Sequence, residues 1–86
     1  MRIAALDDDA LQLDLIKQAT EAMGHVCHTH LTGAELLRTL RRETFDLLIV
    51  DWHLPDTTGP EVVRWVRKNV AAQLPILFVT NRQEER

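Results

Sequence analysis

The chain has 86 residues, of which 45% are hydrophobic and 27% are charged, and its net charge is −3 at pH 7. This length suffices for one small domain, and the acidic balance gives no electrostatic basis for direct binding to nucleic acid or to an anionic membrane surface. No apolar run approaches the ~20 residues needed to cross a bilayer, and no signal-peptide pattern opens the chain. The single cysteine, Cys27, excludes an internal disulfide and fits a reducing cytoplasm, so we expect a cytoplasmic protein without membrane contact.

The first half of the chain alternates short strands with helices. Residues 3–6 are an apolar run typical of a buried strand, and Asp9 with Gln12 resembles a capping box at the start of a helix over residues 10–23. Hydrophobic residues repeat every four positions in that helix and predict its inner face: Leu11, Leu15, Ala19 and Met23. Val26–His30 is less apolar, and we expect this second strand at an edge of the sheet.

The second half repeats the same alternation. Capping boxes of the Thr-x-x-Glu type at positions 32–35 and 58–61 predict two more helices. Their predicted inner faces are apolar: Leu36, Leu37 and Leu40 in one, and Val62, Val63, Val66 and Val70 in the other. The runs 47–50 and Ile76–Val79 are continuously apolar, which is typical of strands covered on both faces. The order βαβαβαβ predicts an α/β fold, a doubly wound parallel sheet with helices on both sides.

Oxygen-bearing side chains follow three of these strands. Asp7 and Asp8 follow the first strand, Asp51 the third and Thr80 the fourth. Because parallel strands end at the same edge of a sheet, we expect these groups to lie close together. Crowded carboxylates need a cation, and Mg²⁺ prefers such oxygen ligands. A carboxylate beside Mg²⁺ can itself accept a phosphoryl group as an aspartyl phosphate.

Three motifs lie at the ends of predicted strands: Asp7-Asp8 after the first strand, residues 50–55 with Gly59 after the third, and residues 75–80 at the fourth. Together they resemble the receiver domain of two-component response regulators, and their spacing agrees along all 86 residues. The resemblance implies a flavodoxin-like receiver fold with strand order 2-1-3-4-5. We expect residues 1–86 to hold a partial receiver domain, the first four βα units, ending after the fourth strand.

The resemblance also implies a role for each residue of the acidic edge. Asp51 would be the phosphoacceptor and Thr80 the switch hydroxyl. Asp7, Asp8 and Asp51 would hold Mg²⁺, with the backbone carbonyl of His53 as a further ligand. The chain would then be a phosphorylation-controlled switch and not an enzyme acting on an external substrate. Its expected partners are a sensor histidine kinase or phosphotransfer protein and an unknown downstream effector.

The chain departs from the family pattern in two ways, and the first has a structural consequence. The family continues through a fourth helix, a fifth strand that carries a lysine, and a last helix, whereas this sequence ends at Arg86 and its lysines, Lys17 and Lys68, fall on predicted helices. Asn81 stands where the family favours a small residue, and we expect it to narrow access to the phosphoacceptor. Without a fifth strand, Ile76–Val79 would be an apolar edge, which predicts self-association through that strand.

Other functions remain open alternatives. A degenerate receiver would act as an interaction scaffold that takes no phosphate. A phosphatase of the haloacid-dehalogenase type also uses an aspartate nucleophile, but its Asp-x-Asp pattern continues with Gly and Thr, whereas Ala10 follows Asp9 here. A dinucleotide-binding site is not expected because no Gly-x-Gly-x-x-Gly follows the first strand. We expect Cys27 in the core and the four histidines at exposed polar positions: His25, His28, His30 and His53.

Overall fold

The computed structural model describes residues 1–79, in which four parallel strands form one sheet in the order β2-β1-β3-β4. The predicted doubly wound architecture is therefore confirmed for this part of the chain. None of the helices described there is long and apolar enough to cross a membrane. The elements in chain order are β1 (Arg2–Leu6), α1 (Ala10–Ala22), β2 (Val26–His30), α2 (Gly33–Leu40), β3 (Leu47–Asp51), α3 (Gly59–Asn69) and β4 (Ile76–Val79).

The two central strands bury side chains on both faces, because successive residues of a strand point to opposite sides. On one face, the core holds Leu48 and Val50 of β3 together with residues of α2 and α3. On the other face, Ile49 packs with Ile3 and Cys27 beneath α1. The core position predicted for Cys27 is confirmed, and burial raises the pKa of its thiol.

The predicted inner face of α1 is wrong. Leu11, Leu15 and Met23 are all exposed, and Leu15 shows 61% of its surface to solvent. The buried residue is Leu13, which is 4% exposed, and Ile16 packs beside it against the sheet. A second stripe, two positions further along the helix, therefore faces the core.

Polar groups on the inward stripe of α1 have local partners, which is why this stripe can face the sheet. The hydroxyl of Thr20 donates to the carbonyl of Ile16 at 2.9 Å, and the ammonium of Lys17 reaches the carbonyl of Cys27 at 3.1 Å. The spacing of hydrophobic residues takes no account of polar side chains, so it favours the more apolar stripe of the helix. Hydrogen bonds such as these cannot be predicted from that spacing.

The starts of the other two helices follow the prediction. The hydroxyl of Thr32 accepts from the N–H of Glu35, and that of Thr58 accepts from the N–H of Glu61. The predicted inner faces are confirmed for Leu36, Leu37 and Leu40 of α2 and for Val62 and Val66 of α3. Val63 is half-buried and lies outside the core clusters, and Val70, at the C-cap of α3, is exposed. Capping fixes where each helix begins, and thus which side chains of the preceding loop stand at the sheet edge.

Three of the four histidines depart from the expectation of exposed positions, and His30 departs most. His30, at the end of β2, is 7% exposed. His25 and His28 are half-buried, and only His53 is exposed as expected. The Nδ1 atom of His30 lies 3.2 Å from the carbonyl oxygen of Ala5, and its Nε2 atom lies 3.1 Å from the hydroxyl of Thr39. Since a carbonyl can only accept, Nδ1 carries the proton and Nε2 accepts from Thr39. Burial lowers the pKa of His30, although the Ala5 carbonyl and the Glu35 carboxylate act in the opposite direction.

The buried imidazole predicts a loss of stability in mild acid. Below about pH 6.5 the unfolded chain takes up a proton at His30 that the folded chain resists, so the free energy of unfolding should fall as the pH falls. Urea denaturation at pH 7.5 and 5.5 measures this fall, and His30→Gln should reduce it. His53→Gln replaces an exposed imidazole and serves as the matched control. Equal pH dependence in wild type and His30→Gln would contradict the prediction.

Candidate functional site

The acidic residues meet at the carboxyl edge of the sheet because β1 and β3 are direct neighbours. Leu6 pairs with Val50, so Asp7 and Asp51 stand at corresponding ends of the two strands. Asp7 and Asp51 are buried, and Asp8 lies exposed beside them. One carboxylate oxygen from each of Asp7, Asp8 and Asp51 lies within 4.8 Å of the others. The clustering expected from the sequence is therefore found for all three aspartates.

The electrostatics of this cluster are unfavourable for a metal-free protein. Burial is the largest cause that raises the pKa of Asp7, and a hydrogen bond from the N–H of Asp9 opposes it. The negative charges of Asp51 and Asp8 raise the pKa of Asp7 further. Three carboxylates offering oxygen atoms in a small volume are the ligand type that a hard divalent cation prefers. The residues present therefore fit Mg²⁺.

Asp9 has a different task from the three clustered aspartates. Its carboxylate caps α1 by accepting from the N–H of Leu11 at 3.0 Å and of Gln12 at 3.5 Å. Its own N–H donates to the carboxylate of Asp7 at 2.9 Å. The start of α1 thus holds the Asp7 side chain in place, which keeps one carboxylate of the cluster oriented.

The loop from 52 to 58 carries the remaining predicted ligand. It is closed at its base, where the N–H of Gly59 donates to the carbonyl of Trp52 at 3.0 Å and His53 forms an isolated bridge with Thr58. His53 therefore lies in a turn tied to the end of β3, within two residues of Asp51. Thr80 and Asn81 lie outside the described residues.

A contact that the sequence did not reveal fastens the tip of this loop. The carboxylate of Asp56 accepts from the N–H groups of Gly33 at 3.0 Å and Ala34 at 3.2 Å, at the N-terminus of α2. A Cβ on Gly33 would come within 2.7 Å of the Thr57 methyl group, so glycine permits the approach. No local motif marks a partner 23 positions away along the chain. We name this contact the Asp56 clamp.

Comparison with known proteins agrees with the fold. Residues 3–86 match the family model described as the response regulator receiver domain. The chain is 36% identical over 85 residues to the phosphate regulon transcriptional regulatory protein PhoB of Rhizobium meliloti, covering 98% of this chain and 37% of that protein. It is 28% identical to the polar-differentiation response regulator DivK of Brucella ovis, covering 91% of this chain and 64% of that protein. The chain thus spans less than two thirds of the length of these curated relatives.

Solved structures show the same relation. The chemotaxis response regulator CheY4 of Vibrio cholerae superimposes with a TM-score of 0.89 at 27% identity, covering 96% of this chain and 70% of that one. The response regulator TrrA of Thermotoga maritima, solved in complex with Mg²⁺-BeF, superimposes with a TM-score of 0.83 at 27% identity, covering 95% of this chain and 70% of that one. The chain belongs to the response regulator receiver domain family.

Proposed function

We propose that residues 1–86 are a receiver unit, the first four βα units of the family's fold, and that this unit accepts a phosphoryl group on Asp51. The observation that carries the proposal is the meeting of Asp51 with Asp7 and Asp8, one oxygen of each lying within 4.8 Å of the others. Asp51 ends the central strand β3, so the sheet holds its backbone rigidly while its side chain faces the acidic edge. A nucleophile needs this kind of fixed position.

Transfer to Asp51 makes one bond and breaks one. A carboxylate oxygen of Asp51 bonds to phosphorus, the donor's bond to phosphorus breaks, and its electron pair leaves with the donor. Asp7, Asp8 and Asp51, with the backbone carbonyl of His53, would hold Mg²⁺. When bound, Mg²⁺ supplies the counter-charge for the carboxylates and the phosphoryl oxygens. Thr80 is proposed to bond a phosphoryl oxygen through its hydroxyl and so to report the state of Asp51.

As a switch, the domain would act through partners and not on an external substrate. A sensor histidine kinase or a phosphotransfer protein would supply the phosphoryl group in the cytoplasm, and a downstream effector would respond to the added charge. Direct contact with nucleic acid is not expected of this chain, whose net charge is −3. Self-association through β4 stays a prediction from the sequence.

Phosphorylation can be tested by intact-mass spectrometry after incubation with acetyl phosphate. With Mg²⁺ present we expect a phosphate-sized adduct on the wild-type chain, and with EDTA we expect none, because the carboxylate cluster then lacks its counter-charge. Asp51→Asn keeps the size of the side chain and should abolish the adduct.

Controls separate phosphorylation of Asp51 from phosphorylation of other carboxylates. Asp14→Asn removes an exposed carboxylate on α1 and should leave the adduct unchanged. An adduct that persists in Asp51→Asn would overturn the assignment of the phosphoacceptor. A wild-type chain that binds Mg²⁺ and still gains no adduct would favour an interaction scaffold that takes no phosphate.

A further inference from the structure

The loop from 52 to 58 has to hold the carbonyl of His53 in a fixed direction if that carbonyl is a ligand of Mg²⁺. The base of the loop is closed by the hydrogen bond from the N–H of Gly59 to the carbonyl of Trp52, which makes no use of the His53 carbonyl. Within residues 1–79 that carbonyl accepts no hydrogen bond, so its oxygen is available to a cation. Because Mg²⁺ demands nearly ideal octahedral geometry, the direction of this carbonyl matters.

Two anchors lie just beyond His53 in the loop. The side chain of Leu54 packs against the core beneath α2 and α3. The Asp56 clamp then fastens the tip of the loop to the first residues of α2. The peptide group that carries the His53 carbonyl lies between the closed base and these two anchors. A change at the tip therefore alters the direction of the carbonyl, although the base of the loop stays closed.

The connection between the tip and α2 depends on few contacts. Within residues 1–79 the hydrogen bonds between this loop and α2 are the two that the Asp56 carboxylate accepts. The Thr57 methyl group also approaches the helix, since a Cβ on Gly33 would meet it at 2.7 Å. Beside these contacts a cleft of about 300 Å³ opens between α2 and α3. Packing alone therefore does not fix the tip, and the clamp supplies the directional part of the connection.

The clamp is well suited to fix an orientation. Each oxygen of the Asp56 carboxylate accepts from a different N–H group, Oδ1 from Gly33 and Oδ2 from Ala34. These donors stand at the start of α2, where N–H groups have no partner within the helix and the helix dipole favours a negative charge. Two charge-assisted hydrogen bonds to one carboxylate restrain both its position and its rotation. Both oxygens of this exposed carboxylate are thus directed at α2.

We propose that Asp56 is a positioning residue for the metal site. By holding the tip of the loop on α2, it sets the direction of the His53 carbonyl and thereby the affinity of the acidic cluster for Mg²⁺. This role rests on the function proposed for Asp51 and deepens it. Asp56 acts through His53 and contacts neither the metal nor the phosphoryl group. Loss of the clamp should therefore change how much Mg²⁺ the transfer needs and not the transfer itself.

Isothermal titration calorimetry of the metal-free full chain with Mg²⁺ tests this role. Asp56→Ala should raise the Mg²⁺ dissociation constant by about fivefold or more, because a group that orients a metal ligand is lost. Asp46→Ala is the matched control. It removes the same charge from an exposed carboxylate that accepts from the N–H of Arg2 at 2.8 Å, before β3 begins. It should change the dissociation constant by less than about twofold, and an equal rise in both variants would overturn the proposal.

A conservative variant separates position from charge at Asp56 itself. Asp56→Asn removes the negative charge, but its amide oxygen can still accept from the N–H of Gly33 or Ala34. The dissociation constant of Asp56→Asn should therefore lie well below that of Asp56→Ala. Equal values for the two variants would mean that the charge of Asp56, and not its hold on α2, sets the affinity, which would overturn the proposal.

The dependence of phosphorylation on Mg²⁺ gives a second readout. In Asp56→Ala the Mg²⁺ concentration for half-maximal phosphorylation by acetyl phosphate should rise by about fivefold, with the rate at saturating Mg²⁺ within about twofold of the wild type. A lower saturating rate at an unchanged half-maximal concentration would overturn the positioning role.

Failure of this role and failure of the proposed function give different results. Equal Mg²⁺ affinity in wild type and Asp56→Ala would overturn the role of Asp56 and leave phosphorylation of Asp51 intact. A wild-type chain without an adduct would overturn the phosphoacceptor, while calorimetry would still decide the role of Asp56. A wild-type chain that binds no Mg²⁺ would overturn the metal site and the role of Asp56 with it.

Discussion

Leu13→Ala should destabilise the protein by about 2–4 kcal/mol, whereas Leu15→Ala should cost less than about 1 kcal/mol. The two leucines are two positions apart on α1 and differ in burial, being 4% and 61% exposed. Truncating Leu13 leaves a cavity above Ile3 and Ile49 in the core beneath α1. Because small domains are stable by only about 5–15 kcal/mol, this loss is a large part of the total.

Urea denaturation followed by circular dichroism measures both variants under the same conditions. The pair is a matched control, since each variant removes the same atoms from the same helix and changes its intrinsic helix propensity equally. A larger loss for Leu15→Ala than for Leu13→Ala would mean that α1 presents its other stripe to the sheet. The structural correction would then be wrong, and the expectation from hydrophobic spacing would be right.

Asp7→Asn should stabilise the metal-free protein and weaken its binding of Mg²⁺. The substitution removes a buried negative charge next to Asp51 and Asp8, and the amide oxygen can still accept from the N–H of Asp9. We expect a gain on the order of 1 kcal/mol in the free energy of unfolding measured in EDTA. We expect the Mg²⁺ dissociation constant to rise by about tenfold or more, since the charge of the ligands sets the affinity for hard cations.

Isothermal titration calorimetry and urea denaturation measure the two effects separately. Asp14→Asn serves as the control, because it removes the same charge from an exposed site on α1 that lies outside the cluster. It should alter neither the affinity nor the stability by a comparable amount. Unchanged Mg²⁺ affinity in Asp7→Asn would remove Asp7 from the proposed ligand set, whatever the outcome for phosphorylation of Asp51.

Local signals in the sequence predicted most of the fold. Each strand run lies within one residue of its observed bounds, and the caps at Asp9, Thr32 and Thr58 lie where expected. These features depend on neighbouring residues alone. The meeting of Asp7 with Asp51 was predictable for a further reason, since parallel strands must end at a common edge.

The features that the sequence did not predict depend on distant partners or on a choice between two faces. The stripe of α1 that contains Leu15 has more hydrophobic residues than the stripe that contains Leu13. The hydrogen bonds of Lys17 and Thr20 nevertheless allow the mixed stripe of Leu13 to face the sheet. His30 is buried because Ala5 and Thr39 satisfy both of its ring nitrogens, and neither is near it in sequence.

The Asp56 clamp has a consequence for the order in which the structure opens and closes. It joins residues 23 positions apart, so it forms only after α2 and the end of β3 have reached their places. The entropy cost of closing this loop therefore arises late in folding. The amide protons of Gly33 and Ala34 are held by this single carboxylate. Their exchange with solvent therefore follows opening of the loop beside Asp51 and not unfolding of the domain.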